Sequence, residues 1–309
     1  MKRIVTITMS PTVDLNTSTD TVTAEDKLRC KNTMYSPGGG GINVSRAIKI
    51  LDGESIAFYP YGGYIGNLLK ELLKEEKIDQ SPIKTSGSTR LNFSVIENST
   101  NKQYRFNTIG SNLKKEEQEK CLEKIKNLVS STDYIVLSGS MPPGITNDFT
   151  KKLAEIVNKS KGRLIVDTSA EALKYALEEG VFLIKPNLKE FTSLIGEKLR
   201  DEKQLFEKAK NIIDSAGSKV VTISLGAAGC LLITKNEARH LCSPITPIQS
   251  RVGSGDSMVG AIALSLSKGK KISDSVKYGV AAGAAAVMTP GTKLCRKEDT
   301  ERLYNSMKD

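Results

Sequence analysis

The chain has 309 residues, of which 39% are hydrophobic, and a formal net charge of +10. This length fits one large α/β domain, alone or with a small appendage, and the spaced apolar runs exclude a disordered chain. The longest run of small apolar residues, 279–288, is much shorter than the roughly 20 residues of a membrane-spanning helix. We therefore expect a cytoplasmic globular protein without membrane contact.

The residue types that form disulfides, metal sites and catalytic triads are scarce. Five cysteines, without a C-x-x-C pair, argue against a disulfide framework or a zinc site and for a cytosolic protein. His240 is the only histidine, so a metal site built from histidines or a Ser-His-Asp triad is not expected. The lysines alternate with glutamates and form no basic block with aromatic residues, so we expect no nucleic-acid binding. The positive charge suits a small polyanionic substrate instead.

In chain order, the first elements are strands and then helices. Residues 3–8 alternate as a strand does, and the threonine-rich residues 13–35 predict short exposed strands. Four glycines at 38–41 interrupt the chain, and apolar residues at helical spacing follow at 42–51 and 68–73.

The next strands form a hairpin and then an alternating pattern. Residues 91–97 and 102–106 flank a polar Asn-Ser-Thr-Asn turn, which predicts a hairpin. After it, strand-like runs alternate with helical stretches, which predicts a parallel sheet covered on both faces. Those runs are residues 134–137, 164–166, 181–184 and 220–225.

Two strand-only patches, residues 13–35 and 89–107, do not fit this α/β alternation. We expect them to form a small separate sheet that acts as a lid over a ligand. The remaining residues, 1–12, 36–88 and 108–309, would then form the α/β domain. A sheet this small has an open face and exposed edges, so we expect it to pair with the same sheet of a second subunit in a homodimer.

The strongest local motif is VGSGD, residues 252–256, before an apolar helical stretch. A Gly-x-Gly turn at a helix N-terminus presents backbone N–H groups and the positive end of the helix dipole, which hold phosphate oxygens or developing negative charge. Asp256 falls in the first helical turn. Taken alone, an aspartate there is more often a simple N-cap than a functional carboxylate. The chain has neither a P-loop motif nor a Gly-x-Gly-x-x-Gly after a strand.

A second glycine-rich entry into a helix is GGGGIN, residues 38–43. Ordering four consecutive glycines costs backbone entropy, so close approach of the backbone to a ligand explains them better than a flexible turn. The stretch KPNLKE, residues 185–190, follows a buried strand. There Asn187 and Glu190 share a helix face, either as a functional pair or as an ordinary capping pair.

Four charged residues lie in or beside the two lid patches: Asp14, Lys27, Arg29 and Arg90. Each alone is best explained as a surface charge. Together they supply what a lid needs to hold a sugar phosphate, a carboxylate for hydroxyl groups and cations for phosphate.

These features together resemble the PfkB family of ribokinase-like sugar kinases. Its two signatures, a glycine-rich segment near the start and a GAGD-type segment near the end, are matched by PGGGGINVSRAI and VGSGDSMVGA, residues 37–48 and 252–261. Other stretches resemble the branch of the family that phosphorylates fructose 6-phosphate. They are AEDKLRC (24–30), QYRF (103–106), SGSMPPG (138–144), KPNLKE (185–190), ISLGAAG (223–229), GVAAGAAA (279–286) and GTKLC (291–295).

The resemblance implies a ribokinase-like, Rossmann-type parallel-sheet domain with a small β-sheet lid, and a role for each matching residue. Asp256 matches the catalytic base, supported by the backbone of Gly253, Ser254 and Gly255. The sugar-phosphate positions are Asp14, Lys27, Arg29, Gly39, Gly40, Gly41, Ile42, Asn43, Arg90 and Ser138, with Ser140 as the weaker alternative to Ser138. The ATP positions are Lys185, Asn187, Ser224, Leu225, Gly226, Ala227, Ala228, Gly229 and Ala284. Glu190 matches an indirect Mg²⁺ contact, and a K⁺ site is matched by Ser250, Val252, Ala286, Thr289, Gly291 and Lys293.

Three positions depart from the family pattern. Ser254 replaces the usual alanine, which should be harmless because the backbone N–H is the working group. Thr289 and Lys293 are less typical of the potassium loop.

The implied activity is transfer of the γ-phosphoryl group of ATP to the C1 hydroxyl of fructose 6-phosphate, with Mg²⁺ and with K⁺ in its own site. Two alternatives within the family are a tagatose-6-phosphate kinase and a 1-phosphofructokinase. A third alternative, of another class, is a non-catalytic sugar-phosphate sensor. The intact GSGD turn with Asp256 argues against the sensor, because binding alone needs no base.

Overall fold

The structure, a computed structural model, describes residues 2–130, 133–146, 148–199 and 201–307. The strands described are β1 (Ile4–Ile7), β2 (Thr12–Thr19), β3 (Lys31–Gly38), β4 (Ile56–Tyr61), β5 (Asp79–Lys84), β6 (Arg90–Glu97), β7 (Lys102–Phe106), β8 (Tyr134–Ser138), β9 (Arg163–Asp167), β10 (Val181–Ile184), β11 (Ser218–Ser224), β12 (Cys230–Thr234) and β13 (Ala238–Leu241). The α-helices described are α1 (Gly40–Ile50), α2 (Gly63–Glu75), α3 (Lys115–Leu128), α4 (Phe149–Lys159), α5 (Ala170–Glu178), α6 (Leu188–Ile195), α7 (Glu202–Asp214), α8 (Ser254–Ser267), α9 (Ile272–Val287) and α10 (Lys297–Ser306).

The larger sheet has nine strands in the order β13-β12-β11-β10-β9-β8-β1-β4-β5. The seven from β11 to β5 pair in parallel, whereas β12 and β13 add an antiparallel edge. The central strands β1 and β8 are buried along their whole length, because helices cover both faces and every side chain of such a strand meets apolar neighbours. The prediction of a covered parallel sheet is confirmed.

Helix α8 is the most enclosed helix of the covering layers. It packs between α1 and α9 and against β1 and β8, and its residues 257–267 are all buried. A helix that is apolar on every side belongs in the interior. Glycine allows the close approach: a Cβ on Gly279 of α9 would lie 2.5 Å from Ile262 Cγ1, and a Cβ on Gly260 would lie 3.0 Å from Ala47 Cβ. The N-terminal turn of α8 is therefore held rigidly.

The smaller sheet has four strands in the order β3-β2-β6-β7. Strands β6 and β7 form the predicted antiparallel hairpin, and β2 joins β6 in parallel and β3 in antiparallel pairing. The prediction of a small separate sheet is confirmed. The strands extend beyond the predicted 13–35 range, to Thr12 and Gly38, and residues 20–30 within it form no strand. That connection is rich in charge and lacks the period-2 alternation that a half-buried strand needs.

None of the helices described here is long and apolar enough to cross a membrane.

Candidate active site

The candidate site lies at the carboxyl edge of the parallel strands, where two helices begin. Thr8 and Ser138 stand at the ends of β1 and β8, and Asp167 and Lys185 stand at or just beyond the ends of β9 and β10. The carboxyl edge is where open α/β sheets bind their ligands. The helices α1 and α8, which carry the two glycine-rich motifs, start at the same edge.

The VGSGD motif forms the first turn of α8. Gly253 is the N-cap residue with φ of 76°, a left-handed conformation that favours glycine, and a Cβ there would lie 2.6 Å from Leu294 Cδ2. The first backbone hydrogen bond of the helix runs from Ser257 N–H to Gly253 O. The three N–H groups before it, from Ser254 to Asp256, therefore point out of the helix end, where an anion would lie.

Asp256 is not the N-cap of α8, the role that is more common for an aspartate at such a position, because Gly253 occupies the cap. Asp256 is the third residue of α8, and its Oδ2 accepts a 2.9 Å hydrogen bond from Asn43 Nδ2 of α1. Burial raises the pKa of Asp256 to about 6; the Asn43 amide opposes this shift, and the Asp167 carboxylate adds to it. A carboxylate with a pKa near 6 accepts a proton more readily than an ordinary aspartate and is still ionised at neutral pH.

An ion pair that sequence reasoning did not identify lies beside Asp256. The Lys185 ammonium, 4% exposed as a residue, lies 3.1 Å from Asp167 Oδ1. It is also 3.7 Å from the position that a Cβ would take on Gly255. Burial opposes the charge on Lys185, but the carboxylates of Asp167, Glu190 and Asp256 together raise its pKa. The lysine is therefore a fixed positive charge next to the α8 turn.

Asp167 had one recognisable signal in the sequence. It ends a buried strand, directly in register with Ser138 of the neighbouring strand β8. A polar residue at the carboxyl end of a parallel strand is a site candidate in its own right.

The glycine-rich turn before α1 is required by contacts with protein backbone and side chains. A Cβ on Gly38 would lie 2.4 Å from Asp14 Oδ2, one on Gly40 would lie 2.4 Å from Gly139 N, and one on Gly41 would lie 2.5 Å from Ile7 O. The sequence argument assigned the close approach to a ligand, whereas the structure assigns it to the chain itself. The result is a tight junction that brings Asn43 to Asp256.

Asp14 and Arg90 lie on the neighbouring strands β2 and β6 of the smaller sheet. The Asp14 carboxylate accepts a 3.0 Å hydrogen bond from Asn92 Nδ2, and burial raises its pKa although Asn92 and Arg90 oppose the shift. The Arg90 guanidinium donates to the Ser10 and Thr108 carbonyls at 3.2 and 3.5 Å. The two residues are close enough for the Arg90 charge to oppose the rise in the pKa of Asp14, and their assignment to a sugar phosphate stays a prediction.

Lys27 and Arg29 are not brought to this pair. Both are exposed on the connection between β2 and β3. Their side chains take part in none of the ion pairs formed by the described residues.

Several buried polar atoms near the site have no hydrogen-bond partner in the described structure. They are Thr8 Oγ1, Asn16 Oδ1, Arg90 Nε and Ser138 Oγ. Buried polar groups are nearly always paired, so unpaired ones need an explanation. Two of the four, Arg90 and Ser138, are predicted sugar-phosphate residues. The Ser138 hydroxyl is near enough to Asp256 to affect its pKa, whereas Arg90 Nε is best explained by a polar ligand at this edge.

Most of the predicted ATP residues follow the strands β10 and β11. Asn187 and Glu190 form a capping box: Asn187 Oδ1 accepts from Glu190 N–H, and Glu190 Oε2 accepts from Asn187 N–H, both at 2.9 Å. The capping alternative is thus the arrangement that the structure contains. Ser224 bridges to Asn187, and the loop after it, residues 225–229, is exposed over 226–228. Ala284 is buried in α9.

The predicted potassium residues form an oxygen-rich loop after α9. Thr289 Oγ1 lies 2.8 Å from the carbonyls of Ala286 and Lys293 and 3.2 Å from that of Leu294, and Ser250 Oγ donates to Gly291 O at 2.7 Å. One hydroxyl proton cannot serve three carbonyls. Carbonyl oxygens gathered in this way could hold a monovalent cation, and the Lys293 oxygen in the cluster belongs to its backbone. Val252 lies at the same point through its N–H, which donates to Ser250 Oγ at 3.2 Å.

No group of three or more His, Cys, Asp or Glu side chains able to hold a metal occurs among the described residues.

A mostly parallel sheet with a smaller second sheet, and a carboxylate at an anion-binding helix turn, define the ribokinase-like class of phosphotransferases. The chain belongs to the pfkB family of carbohydrate kinases, whose family model matches residues 1–299.

The similar proteins include several phosphofructokinases. An ATP-dependent 6-phosphofructokinase isozyme 2 of Mycobacterium tuberculosis is 42% identical over 303 residues, 98% of this chain and 89% of the relative. A crystal structure of phosphofructokinase-2 from Escherichia coli in complex with potassium has a TM-score of 0.95 and 38% identity, and that in complex with fructose-6-phosphate has 0.93 and 37%; both cover 99% of each chain. A 1-phosphofructokinase of Borreliella burgdorferi is 32% identical over 301 residues, 97% of this chain and 96% of the relative.

The raised pKa of Asp256 predicts that this carboxylate costs folding stability at neutral pH. The native state holds the proton up to about pH 6, whereas the unfolded chain releases it near pH 4. Wild-type stability should therefore fall relative to Asp256→Asn as the pH rises from 4 to 6, and the gap should then stay constant. We expect Asp256→Asn to be more stable at pH 7.5 by up to about 3 kcal/mol.

Urea unfolding of both proteins at pH 4.5, 6 and 7.5 measures this gap. Asp79→Asn, at an exposed carboxylate of β5, is the control and should show no such pH-dependent gain. A constant difference between wild type and Asp256→Asn over this range would contradict the raised pKa.

Proposed function

We propose that the chain is an ATP-dependent 6-phosphofructokinase that transfers the γ-phosphoryl group of ATP to the C1 hydroxyl of fructose 6-phosphate. The observation that carries the proposal is the Asp256 carboxylate, which has a pKa near 6 and is held by Asn43 at the N-terminal turn of α8. The similarity to enzymes named 6-phosphofructokinase isozyme 2 over 98% of the chain supports the choice of substrate.

The chemical step follows from the position of this carboxylate. Asp256 takes the proton of the attacking hydroxyl group as that oxygen bonds to the γ-phosphorus, and the bond from the γ-phosphorus to the bridging oxygen breaks and releases ADP. The outward N–H groups of residues 254–256 hold the charge that builds on the transferred group, and the buried Lys185 adds a positive charge beside Gly255. Donors fixed in the fold need no reorganisation during the reaction, which is the main source of their effect.

The sugar phosphate would lie between the two sheets. We assign the hydroxyl groups of the sugar to Asp14 and Asn43, and its phosphate to Arg90, whose Nε is buried and unpaired. The Ser138 hydroxyl is near enough to Asp256 to oppose the rise of its pKa, so it faces the same space. The glycine turn, residues 39–42, closes the floor of this site. Lys27 and Arg29 stay predictions, because the described structure leaves both exposed.

The nucleotide would lie across the α8 turn, against Asn187, Ala284 and the exposed loop 225–229. Bound Mg²⁺ would supply positive charge that neutralises the ATP phosphates. The residue that would contact it indirectly is Glu190, whose carboxylate now caps α6. The carbonyl cluster at 286–293 would hold K⁺, the ion that the E. coli structure contains. We place the enzyme in the cytoplasm, where these substrates are made.

The alternatives differ in the sugar phosphate accepted. A 1-phosphofructokinase relative at 32% identity keeps fructose 1-phosphate as a candidate, and tagatose 6-phosphate differs from fructose 6-phosphate only in one hydroxyl configuration. A coupled assay that measures kcat/KM for all three compounds tests the proposal. A sugar-phosphate sensor would bind one of them without turnover.

Asp256→Asn should lower kcat strongly and leave binding of both substrates nearly intact. Loss of a positioned base costs about 10²–10⁴-fold in rate. The wild-type kcat/KM should fall about tenfold per pH unit below pH 6, because the base must be ionised. Steady-state kinetics of the variant at pH 7.5, with Asp79→Asn as the control, measure the loss. Near wild-type turnover in Asp256→Asn would remove the base assignment.

Arg90→Ala should raise the KM for fructose 6-phosphate and leave the KM for ATP unchanged. A charge-assisted hydrogen bond to phosphate contributes roughly 1.5–3 kcal/mol, which corresponds to about 10–150-fold in KM. Lys102→Ala, at an exposed lysine of β7 in the same sheet, is the control and should change neither constant. Equal effects of Arg90→Ala on both substrates would place Arg90 outside the sugar-phosphate site.

We also propose that the small sheet is a lid and that it pairs with the lid of a second subunit. Several large apolar side chains are exposed on or beside this sheet, namely Leu28, Met34, Tyr35 and Phe106. Its edge strands β3 and β7 are mostly exposed as well. An isologous contact between two such sheets would bury both the apolar side chains and an edge. The E. coli relative is described in a tetrameric form, so assembly occurs in this family.

Met34→Asp should dissociate the dimer and weaken fructose 6-phosphate binding. Met34 is 61% exposed on β3, and dimer formation would bury the charged aspartate that replaces it, at a cost in free energy. Analytical ultracentrifugation over a dilution series, with activity measured in parallel, tests this. Tyr64→Asp, at a side chain 94% exposed on α2, is the control and should leave assembly unchanged. A fully active wild-type monomer would show that the lid works alone.

A further inference from the structure

One side chain of the lid sheet contacts the loop that supports the catalytic turn. Asn16 Nδ2 on β2 lies 3.3 Å from Thr292 Oγ1, a residue 276 positions away in sequence. The same amide nitrogen lies 3.3 Å from Ser36 Oγ and 3.4 Å from Asp14 O, both within the lid. Its Oδ1 is buried without a partner. The amide is thus shared between the lid and the main domain and has hydrogen-bonding capacity left.

Asn16 relates this contact to the residues that we assign to the sugar. Side chains two residues apart on a strand point to the same face, so Asn16 shares a face of β2 with Asp14, which we assign to the sugar hydroxyls. Strand β2 shifts register against β3 between Asn16 and Ser18. Such an irregularity re-aims a side chain.

Thr292 relates the same contact to the N-terminal turn of α8, where Asp256 lies. The loop that contains it packs directly on the start of α8: a Cβ on Gly253 would lie 2.6 Å from Leu294 Cδ2, and Cys295 N–H donates to Ser257 Oγ at 3.2 Å. The loop is held rigid by the Thr289 hydroxyl and by Ser250. A residue fixed to this loop is therefore fixed relative to Asp256.

We infer that Asn16 and Thr292 are a positioning pair that ties the lid sheet to the loop supporting the catalytic turn. The pair acts through Asp14 and Arg90, which move with the lid, and touches no substrate itself. This inference rests on the proposed function for its kinetic consequence. Without the pair a smaller fraction of molecules has the lid in place, and the apparent affinity for the sugar phosphate falls by that fraction.

Thr292→Val removes the hydroxyl at nearly constant shape, and Asn16→Ala removes the amide. Each should raise the KM for fructose 6-phosphate about two- to tenfold, the range of one net hydrogen bond, with kcat and the KM for ATP unchanged. Thr292→Ser keeps the hydroxyl and should restore the wild-type KM. Ser36→Ala is the matched control, because it removes a partner of the same amide inside the lid and leaves the link to the loop.

The double variant separates a link from two independent effects. If the pair acts as one unit, Asn16→Ala with Thr292→Val raises the KM no further than either single change. Multiplied effects in the double variant, or equal effects of Thr292→Val and Thr292→Ser, would overturn the inference.

Hydrogen exchange of the free protein tests the link without turnover. Backbone amides of β2 and β3 should exchange about two- to tenfold faster in Thr292→Val than in wild type or Thr292→Ser, since a local hydrogen bond contributes that factor to protection. Unchanged exchange in Thr292→Val would overturn the inference. Absence of fructose 6-phosphate turnover in wild type would count against the proposed function alone, and the exchange result would still decide the link.

Discussion

The close contact between the Gly40 turn and the backbone around Gly139 is the constraint on which the site depends. Any side chain at residue 40 would run into Gly139 N and the Ser138 carbonyl carbon, so the start of α1 meets the end of β8 without space between them. This contact sets the position of Asn43, one turn further along α1, and with it the hydrogen bond to Asp256. The second constraint is the burial of α8 on all sides, which fixes the helix that carries the Asp256 carboxylate.

The electrostatics of the site follow from this enclosure. Asp167, Lys185 and Asp256 occupy one poorly solvated space, and their formal charges sum to minus one. Lys185 pairs with Asp167 at 3.1 Å. Burial is the main cause of the raised pKa of Asp256, and the Asp167 carboxylate adds to the rise while Lys185 opposes it. A single carboxylate of high proton affinity, next to outward backbone N–H groups, is the combination that proton removal and phosphoryl transfer both require.

Much of the fold could be predicted from the sequence because its signals are local. The β1 and β8 strands are mostly apolar and buried along their whole length, and the hairpin of β6 and β7 has a polar turn between alternating residues. The motif at 252–256 predicted the helix start at which Asp256 lies. The capping role of Asp256 was the wrong alternative, because Gly253, in a left-handed conformation, occupies the cap position. Leu294 leaves no space there for a larger residue than glycine.

Other features depend on contacts between distant parts of the chain. Asp167 carries no motif, and only the register of β8 with β9 places it beside Ser138. The four glycines have the predicted need for space, but the neighbours that demand it come from β1, β2 and the turn after β8. The contact of Asn16 with Thr292 joins positions 276 residues apart. No periodicity or spacing signals a contact of that kind.

The parallel pairing of β2 with β6 in the small sheet has a consequence for how the chain folds. The two strands pair in register from Thr12 with Arg90 to Thr19 with Glu97, and α1, β4, α2 and β5 lie between them in sequence. Pairs this far apart form slowly, because closing the long loop costs entropy before any contact compensates for it. During synthesis, more than a quarter of the chain must follow β2 before its partner β6 is complete, and β3 is the only other strand of the small sheet made in between. The small sheet can be completed only after β4, α2 and β5 of the main domain have been synthesised, so it is added to a part of the molecule that can already be folded.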